Sequence, residues 1–183
     1  MLIVTVSRAR YNSEYAGLAF NFKVNPDSCG NSVHYENYLR FSALADQNSG
    51  KGVTHILLSI DEETNEKAII GFVTVRTSSL IMNVETHHEG RAALEITELA
   101  VDIRFEKKGF GKYLVNWAIN IADTLRRESV GIEYMTLCAD PDSVSFYENN
   151  GFTMISTLYD IPREGWNVDC IPMLMKFPEL NTK

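Results

Sequence analysis

The chain is short of the residues that mark several protein classes. Its three cysteines, Cys29, Cys138 and Cys170, make an odd set with no CxxC pair. That argues against a disulfide framework and against a thiolate zinc site. Cys138 and Cys170 lie in apolar runs and are expected as buried thiols. No run reaches the ~18 consecutive apolar residues that a membrane span needs, so no membrane partner is expected. No basic stretch precedes the β-branched residues at the start, so they do not read as a secretory leader, and the expected address is cytoplasmic. Positive charge is also scarce: 17 Lys and Arg stand against 24 Asp and Glu, a net charge of -7. Counter-ion release on nucleic acid needs clustered Lys and Arg, so a nucleic-acid partner is disfavoured and a cationic small molecule or basic peptide suits this field better. His87 and His88, flanked by Glu85 and Glu89, have no third ligand at useful spacing. They read as a solvated loop, and no metal is expected.

What is present is ordinary globular material, 45% hydrophobic and 22% charged over 183 residues, which excludes a disordered chain or a collagen-like fibre. The length suits a single domain, 1–183. Weak alternation predicts a strand at 2–6, and 11–22 reads as helical or irregular. Tyr35, Tyr38, Leu39, Ser42, Ala43 and Ala45 recur at helical spacing, with Ser32 as a cap and a stop at 48–50. Strands at 55–60 and 68–75 flank a charged turn, and 83–91 reads as an exposed loop before a strand at 93–101. The strongest helix is 109–127, with Leu114, Ala118, Ile121, Ala122 and Leu125 on one face. A strand at 134–139, a short helix at 141–149 closed by Gly151, and strands at 152–158 and 170–176 complete the pattern. Strict βα alternation is missing, so the fold class is α/β with a mixed sheet and helices on both faces rather than a doubly wound sheet.

The informative stretch is 94–114, where a strand ends, a basic loop carries Gly109 and Gly111, and a long helix begins. Helix N-termini leave about four N–H groups unpaired at a positive dipole end, so this is an anion site in outline. The glycines let a phosphate reach the backbone, and Lys107, Lys108 and Lys112 add local charge. A glycine-softened turn with solvated lysines is the plainer reading. The pattern is neither a Walker loop nor a dinucleotide fingerprint, because no Gly-Lys-Ser/Thr follows and the third glycine is absent.

Val101 followed by Glu106-x-x-Gly109-x-Gly111 resembles the acyl-CoA-binding motif of the GNAT superfamily of N-acyltransferases. Ser145-Phe146-Tyr147-Glu148-Asn149-Asn150-Gly151-Phe152 resembles that superfamily's closing motif, and the two stand in the right order and spacing. The resemblance implies a GNAT-like fold, with a central, mostly antiparallel, splayed sheet, and acetyl-CoA as co-substrate. It implies that the backbone of Leu99, Ala100 and Val101 pairs with pantetheine. The pyrophosphate would be held by amides of Glu106, Lys107, Lys108, Gly109, Phe110, Gly111 and Lys112, and Tyr147 would face the CoA sulfur. Glu106 departs from the Arg or Gln common at that position, and its charge opposes a pyrophosphate unless it points away. Asp140 stands where relatives often carry Asn.

Acyl transfer to an amine requires that an ammonium lose a proton and that the leaving thiolate be protonated. Glu95 and Glu98 are the candidate bases, on opposite faces of a regular strand unless a bulge turns one. Glu95 matches the catalytic glutamate of the histone-acetylating branch; either could instead be a structural ion-pair partner. Tyr147 is the candidate general acid or, more plainly, a core aromatic beside Phe146 and Phe152. Trp117 reads as packing, Trp166 either packs or lines the acceptor cleft, and Tyr35, Tyr38 and Phe41 default to the core. The expected activity is N-acetylation of a primary amine on a small molecule or peptide. A toxin-like aminoacyl-tRNA acetyltransferase and a non-catalytic acyl-CoA-binding sensor are the alternatives. A homodimer is a habit of the superfamily.

Overall fold

The computed structural model describes residues 4–84, 87–157 and 170–180. Its elements are β1 (Val4–Arg10), α1 (Ala16–Ala19), α2 (Ser32–Asn37), a π-turn (Tyr38–Ser42), α3 (Ala43–Asn48), β2 (Val53–Asp61), β3 (Lys67–Val84) and β4 (His87–Val101). They are followed by α4 (Phe110–Glu128), β5 (Tyr134–Ala139), α5 (Val144–Glu148), β6 (Thr153–Met154) and β7 (Ile171–Lys176). The seven strands form one mixed sheet in the order β1-β2-β3-β4-β5-β7-β6. The chain divides into two compact units, 1–76 with 97–115 and 77–96 with 116–183.

In the first unit β1 pairs antiparallel with β2, and β2 with β3, with a register shift at Leu57/Leu58. Tyr11, Phe22, Leu39, Ile56 and Phe72 are fully buried in its core. The β2–β3 turn is fixed locally: the Asp61 carboxylate accepts from the Glu63 and Thr64 amides at 2.9 and 3.0 Å, an Asx turn.

In the second unit Ala93–Ile96 of β4 run parallel to Tyr134–Leu137 of β5, and β5 pairs antiparallel with β7 from Tyr134↔Lys176 to Ala139↔Ile171. Ala93, Tyr134, Ile155 and Leu174 form its core, with Leu80 and Met82 packed against them. Pro141 opens a 3-10 turn that leads into α5, and Gly151, at φ 89, lets the Phe152 amide return to the Tyr147 carbonyl at 3.1 Å.

Several expectations are corrected. β1 extends to Arg10 rather than ending at Val6; it is an edge strand on which Arg8 and Arg10 face solvent, as charged edges commonly do. The stretch 83–91 is not a loop, because β3 continues to Val84 and β4 starts at His87, with both histidines exposed on the strand. The strand expected at 152–158 shrinks to Thr153–Met154 and passes into a 3-10 turn, Ile155–Thr157. Phe41 is 65% exposed, not core; it stands two residues from the buried Leu39 and Ala43, about 200° around the helix from each. Tyr35 and Tyr38 do pack against the core. Trp166 lies outside the described residues.

Cys138 and Cys170 are not thiols but a disulfide, joining β5 to the residue before β7 with Cα atoms 5.5 Å apart. The odd count leaves Cys29 outside the bridge rather than excluding one. A bridge across 32 residues constrains the unfolded chain by about 2–4 kcal/mol. Reductant is therefore expected to lower the melting temperature by roughly 4–16 °C. Cys138→Ser should show the lower value and no response to reductant, read by thermal unfolding with and without dithiothreitol.

Candidate active site

The site begins where β4 runs out. Its ladder with β5 covers Ala93–Ile96, and the strand continues through Val101 beyond that pairing. Leu99 and Val101 are half-buried and Ala100 is buried. On the other side β3 presses close at Gly71, where a Cβ would meet Ala100 O at 2.8 Å, Leu114 Cδ1 at 3.0 Å and Val101 Cα at 3.3 Å.

The next residue, Asp102, is fully buried and caps the 3-10 turn Ile103–Phe105. Its carboxylate accepts from the Lys23 amide (3.0 Å), the Arg104 amide (3.0 Å), Arg104 Nε (2.7 Å) and Arg104 Nη2 (2.9 Å). Its own amide donates to Ile70 O at 2.8 Å. Lys107 then adopts φ 58 and Gly109 φ 85. Gly109 is needed for that conformation and not for room, since its Cβ would meet nothing within 4 Å. The first bond of α4 runs from the Tyr113 amide to Gly109 O at 3.0 Å, so Phe110, Gly111 and Lys112 point N–H groups outward with no intrahelical carbonyl.

The polar side chains of this loop are used structurally. Glu106 accepts from Asn25 Nδ2 at 3.1 Å and Ser28 Oγ at 2.8 Å, which ties its charge to the 25–28 loop. Lys108 Nζ donates to Arg104 O at 3.0 Å and lies 5.5 Å from the Phe105 ring centre. Lys107 and Lys112 are exposed.

Of the two candidate bases, Glu98 belongs to the first unit. Its side chain is 14% exposed, and both carboxylate oxygens lie 3.0–3.1 Å from His34 Nε2 on α2. Glu98 also lines a pocket of about 250 Å³ with Tyr38, Asp46, Lys51, Thr74, Arg76 and Thr97. Burial pushes the Tyr38 phenol up, against hydrogen bonds with Thr74 and Thr54 that pull it down; the ring stacks on Phe72 at 6.1 Å.

Glu95 belongs to the second unit, half-buried on β4 opposite Thr136. Tyr147, in the same unit, is 8% exposed and packs edge-on against Phe146 at 5.0 Å and Phe152 at 5.9 Å. Among the described residues no His, Cys, Asp and Glu group could hold a metal.

α2 carries a further carboxylate that sequence reasoning passed over. Glu36 accepts from Lys23 Nζ (2.9 Å), the Val24 amide (3.1 Å) and Arg40 Nη2 (2.8 Å). Arg40 in turn donates to Ala19 O and Phe22 O. Burial raises the Glu36 pKa, but the Lys23, Val24 and Arg40 hydrogen bonds outweigh it and hold the carboxyl below its ordinary value. Lys23 is thus held by Glu36 through its side chain and by Asp102 through its amide.

A family model described as an acetyltransferase (GNAT) domain matches residues 53–154. No curated protein matches the chain in sequence. Among solved structures, one described as a bacterial toxin is similar over 95% of this chain and 92% of its own, at 20% identity and a TM-score of 0.71. The AtaTR complex with acetyl-CoA is similar over 93% and 92%, at 16% identity and a TM-score of 0.70. AtaT with acetyl-methionyl-tRNA is similar over 95% of each chain, at 17% identity and a TM-score of 0.69.

Two outcomes are expected. Gly71→Ala should cost about 1–3 kcal/mol by overpacking and, by shifting the 100–101 peptide, should also shrink the melting-temperature rise on adding acetyl-CoA. Because the folded Glu36 pKa is depressed, its contribution is present above the unfolded value of about 4.3 and is lost as pH falls through the folded value. Glu36→Gln should therefore lower the melting temperature near neutrality and flatten its fall below about pH 4.3.

Proposed function

The chain belongs to the GNAT acetyltransferase family, an acyltransferase with acetyl-CoA as co-substrate, and we propose that it acetylates a primary amine by direct attack on the thioester. The observation that carries this reading is Glu98, a carboxylate on the continuing end of β4 that opens on a small polar pocket. We assign it to the proton path from the acceptor, with Glu95 as the alternative. Tyr147 is assigned as the acid that protonates the thiolate, a role for which a buried phenol is suited. The outward amides of Phe110, Gly111 and Lys112 are assigned to the pyrophosphate, with Glu106, Lys107, Lys108 and Gly109 shaping the loop. The backbone of Leu99, Ala100 and Val101 is assigned to pantetheine.

A small or peptidyl amine fits a pocket whose lining carries both signs, Asp46 and Glu98 with Lys51 and Arg76. A second reading, the α-amine of an aminoacyl-tRNA, is favoured by the likeness to AtaT solved with acetyl-methionyl-tRNA. No helix among the described residues is long and apolar enough to cross a membrane.

Thiol release from acetyl-CoA should appear when a lysine peptide, an amino-acid amide or a polyamine is added, and methionyl-tRNA tested in parallel separates the two acceptor classes. Glu98→Gln and Tyr147→Phe should each lower kcat by about a hundredfold while the thermal shift with acetyl-CoA persists. Glu95→Gln should have the smaller effect. Acetyl-CoA binding with no transfer to any of these amines would leave the sensor reading standing and overturn this one.

A further inference from the structure

His34 stands on α2, and the sequence offers no motif to single it out. Its ring nitrogen Nε2 meets both oxygens of Glu98, at 3.1 and 3.0 Å. An ionised carboxylate can only accept, so Nε2 carries the hydrogen, and in the neutral ring Nδ1 then keeps its lone pair. The two partners differ in exposure: the His34 side chain is 59% exposed and that of Glu98 14%. The ring is also held in plane and tilt, stacked on Tyr38 at 6.4 Å and 28° and edge-on to Tyr35 at 5.3 Å. A half-buried acid thus orients an imidazole that is itself mostly exposed.

Resting on the acetyltransferase reading above, we infer that His34 is the general base for the acceptor and that Glu98 is its positioning residue. The ammonium gives one proton to Nδ1. Glu98 stabilises the resulting imidazolium through the Nε2–H bond, and the exposed ring passes the proton to solvent. The freed amine attacks the thioester carbon, a C–N bond forms and the C–S bond breaks. The second nitrogen proton replaces the one that the general acid gives to the thiolate, so the products are an acetamide and free CoA thiol.

Chemistry favours this division of labour. An imidazole is, by residue type, about a hundredfold stronger as a base than a carboxylate. The charged and titratable groups around the pair are Tyr35 and Tyr38 from the helix side, and Asp46, Lys51 and Arg76 around the pocket that Glu98 lines. An ion pair of purely structural purpose would have no bearing on turnover.

The experiment is chemical rescue. With the amine that the wild-type protein turns over, His34→Ala should lower kcat by about a hundredfold or more, with an unchanged melting-temperature rise on acetyl-CoA. Added imidazole should restore turnover in proportion to its concentration, and His34→Gln, which keeps a hydrogen bond to Glu98 but no base, should stay inactive. Full activity in His34→Ala, or in His34→Gln, or loss without rescue by imidazole, overturns the assignment. Absence of amine-dependent thiol release in the wild type would count against the acetyltransferase reading instead, so the two failures are distinguishable.

Discussion

The corner that matters most is organised by one buried carboxylate. Asp102 sits where β4 stops being a strand, with no exposed surface and four donors around it. A carboxylate taken out of water is tolerated only when its lone pairs are filled, so the surrounding groups are committed to their positions. The Arg104 guanidinium is folded back, the amide of Lys23 is drawn in, and the Ile103 amide returns to Lys23 O at 2.8 Å. The loop that follows inherits its direction from this arrangement, including the left-handed turns at Lys107 and Gly109.

Glu36 repeats the device from the helix side. It takes the ammonium of the same Lys23 whose main chain Asp102 and Ile103 hold, so α2 and the end of β4 are tied to one residue. That linkage explains how a helix segment remote in sequence can present His34 to Glu98 at hydrogen-bond distance. In the proposed reading, two carboxylates outside the chemistry thereby set the position of one within it. Positioning of this kind matters because small displacements of reacting groups are costly to rate.

The glycine loop and α4 were legible in sequence because their signals are local: a turn that needs Gly109, and an apolar period over 109–127. The short helix closed by Gly151 is legible for the same reason. Asp102 was not, since its meaning lies in Lys23, 79 residues away. Glu106 read as a charge opposed to phosphate because Asn25 and Ser28, which take it up, are 81 and 78 residues distant. β1 was cut short because its inner positions carry Ser7 and Ala9, too small and polar to show alternation. The Cys138–Cys170 bridge escaped because an odd count of cysteines constrains parity and says nothing of which pair meets.

Net charge also reads differently once the corner is resolved into its parts. A total of -7 would weigh against any polyanionic ligand if binding were a matter of overall field. Here the groups turned outward at α4 are main-chain amides and a helix dipole, whose contribution is independent of composition. The acidic residue in the loop is tied to Asn25 and Ser28, with Lys107 and Lys112 exposed beside it. The acidic total therefore bears on the acceptor rather than on the co-substrate. On that side, in the proposed reading, it favours an ammonium approaching Glu98 and its imidazole partner.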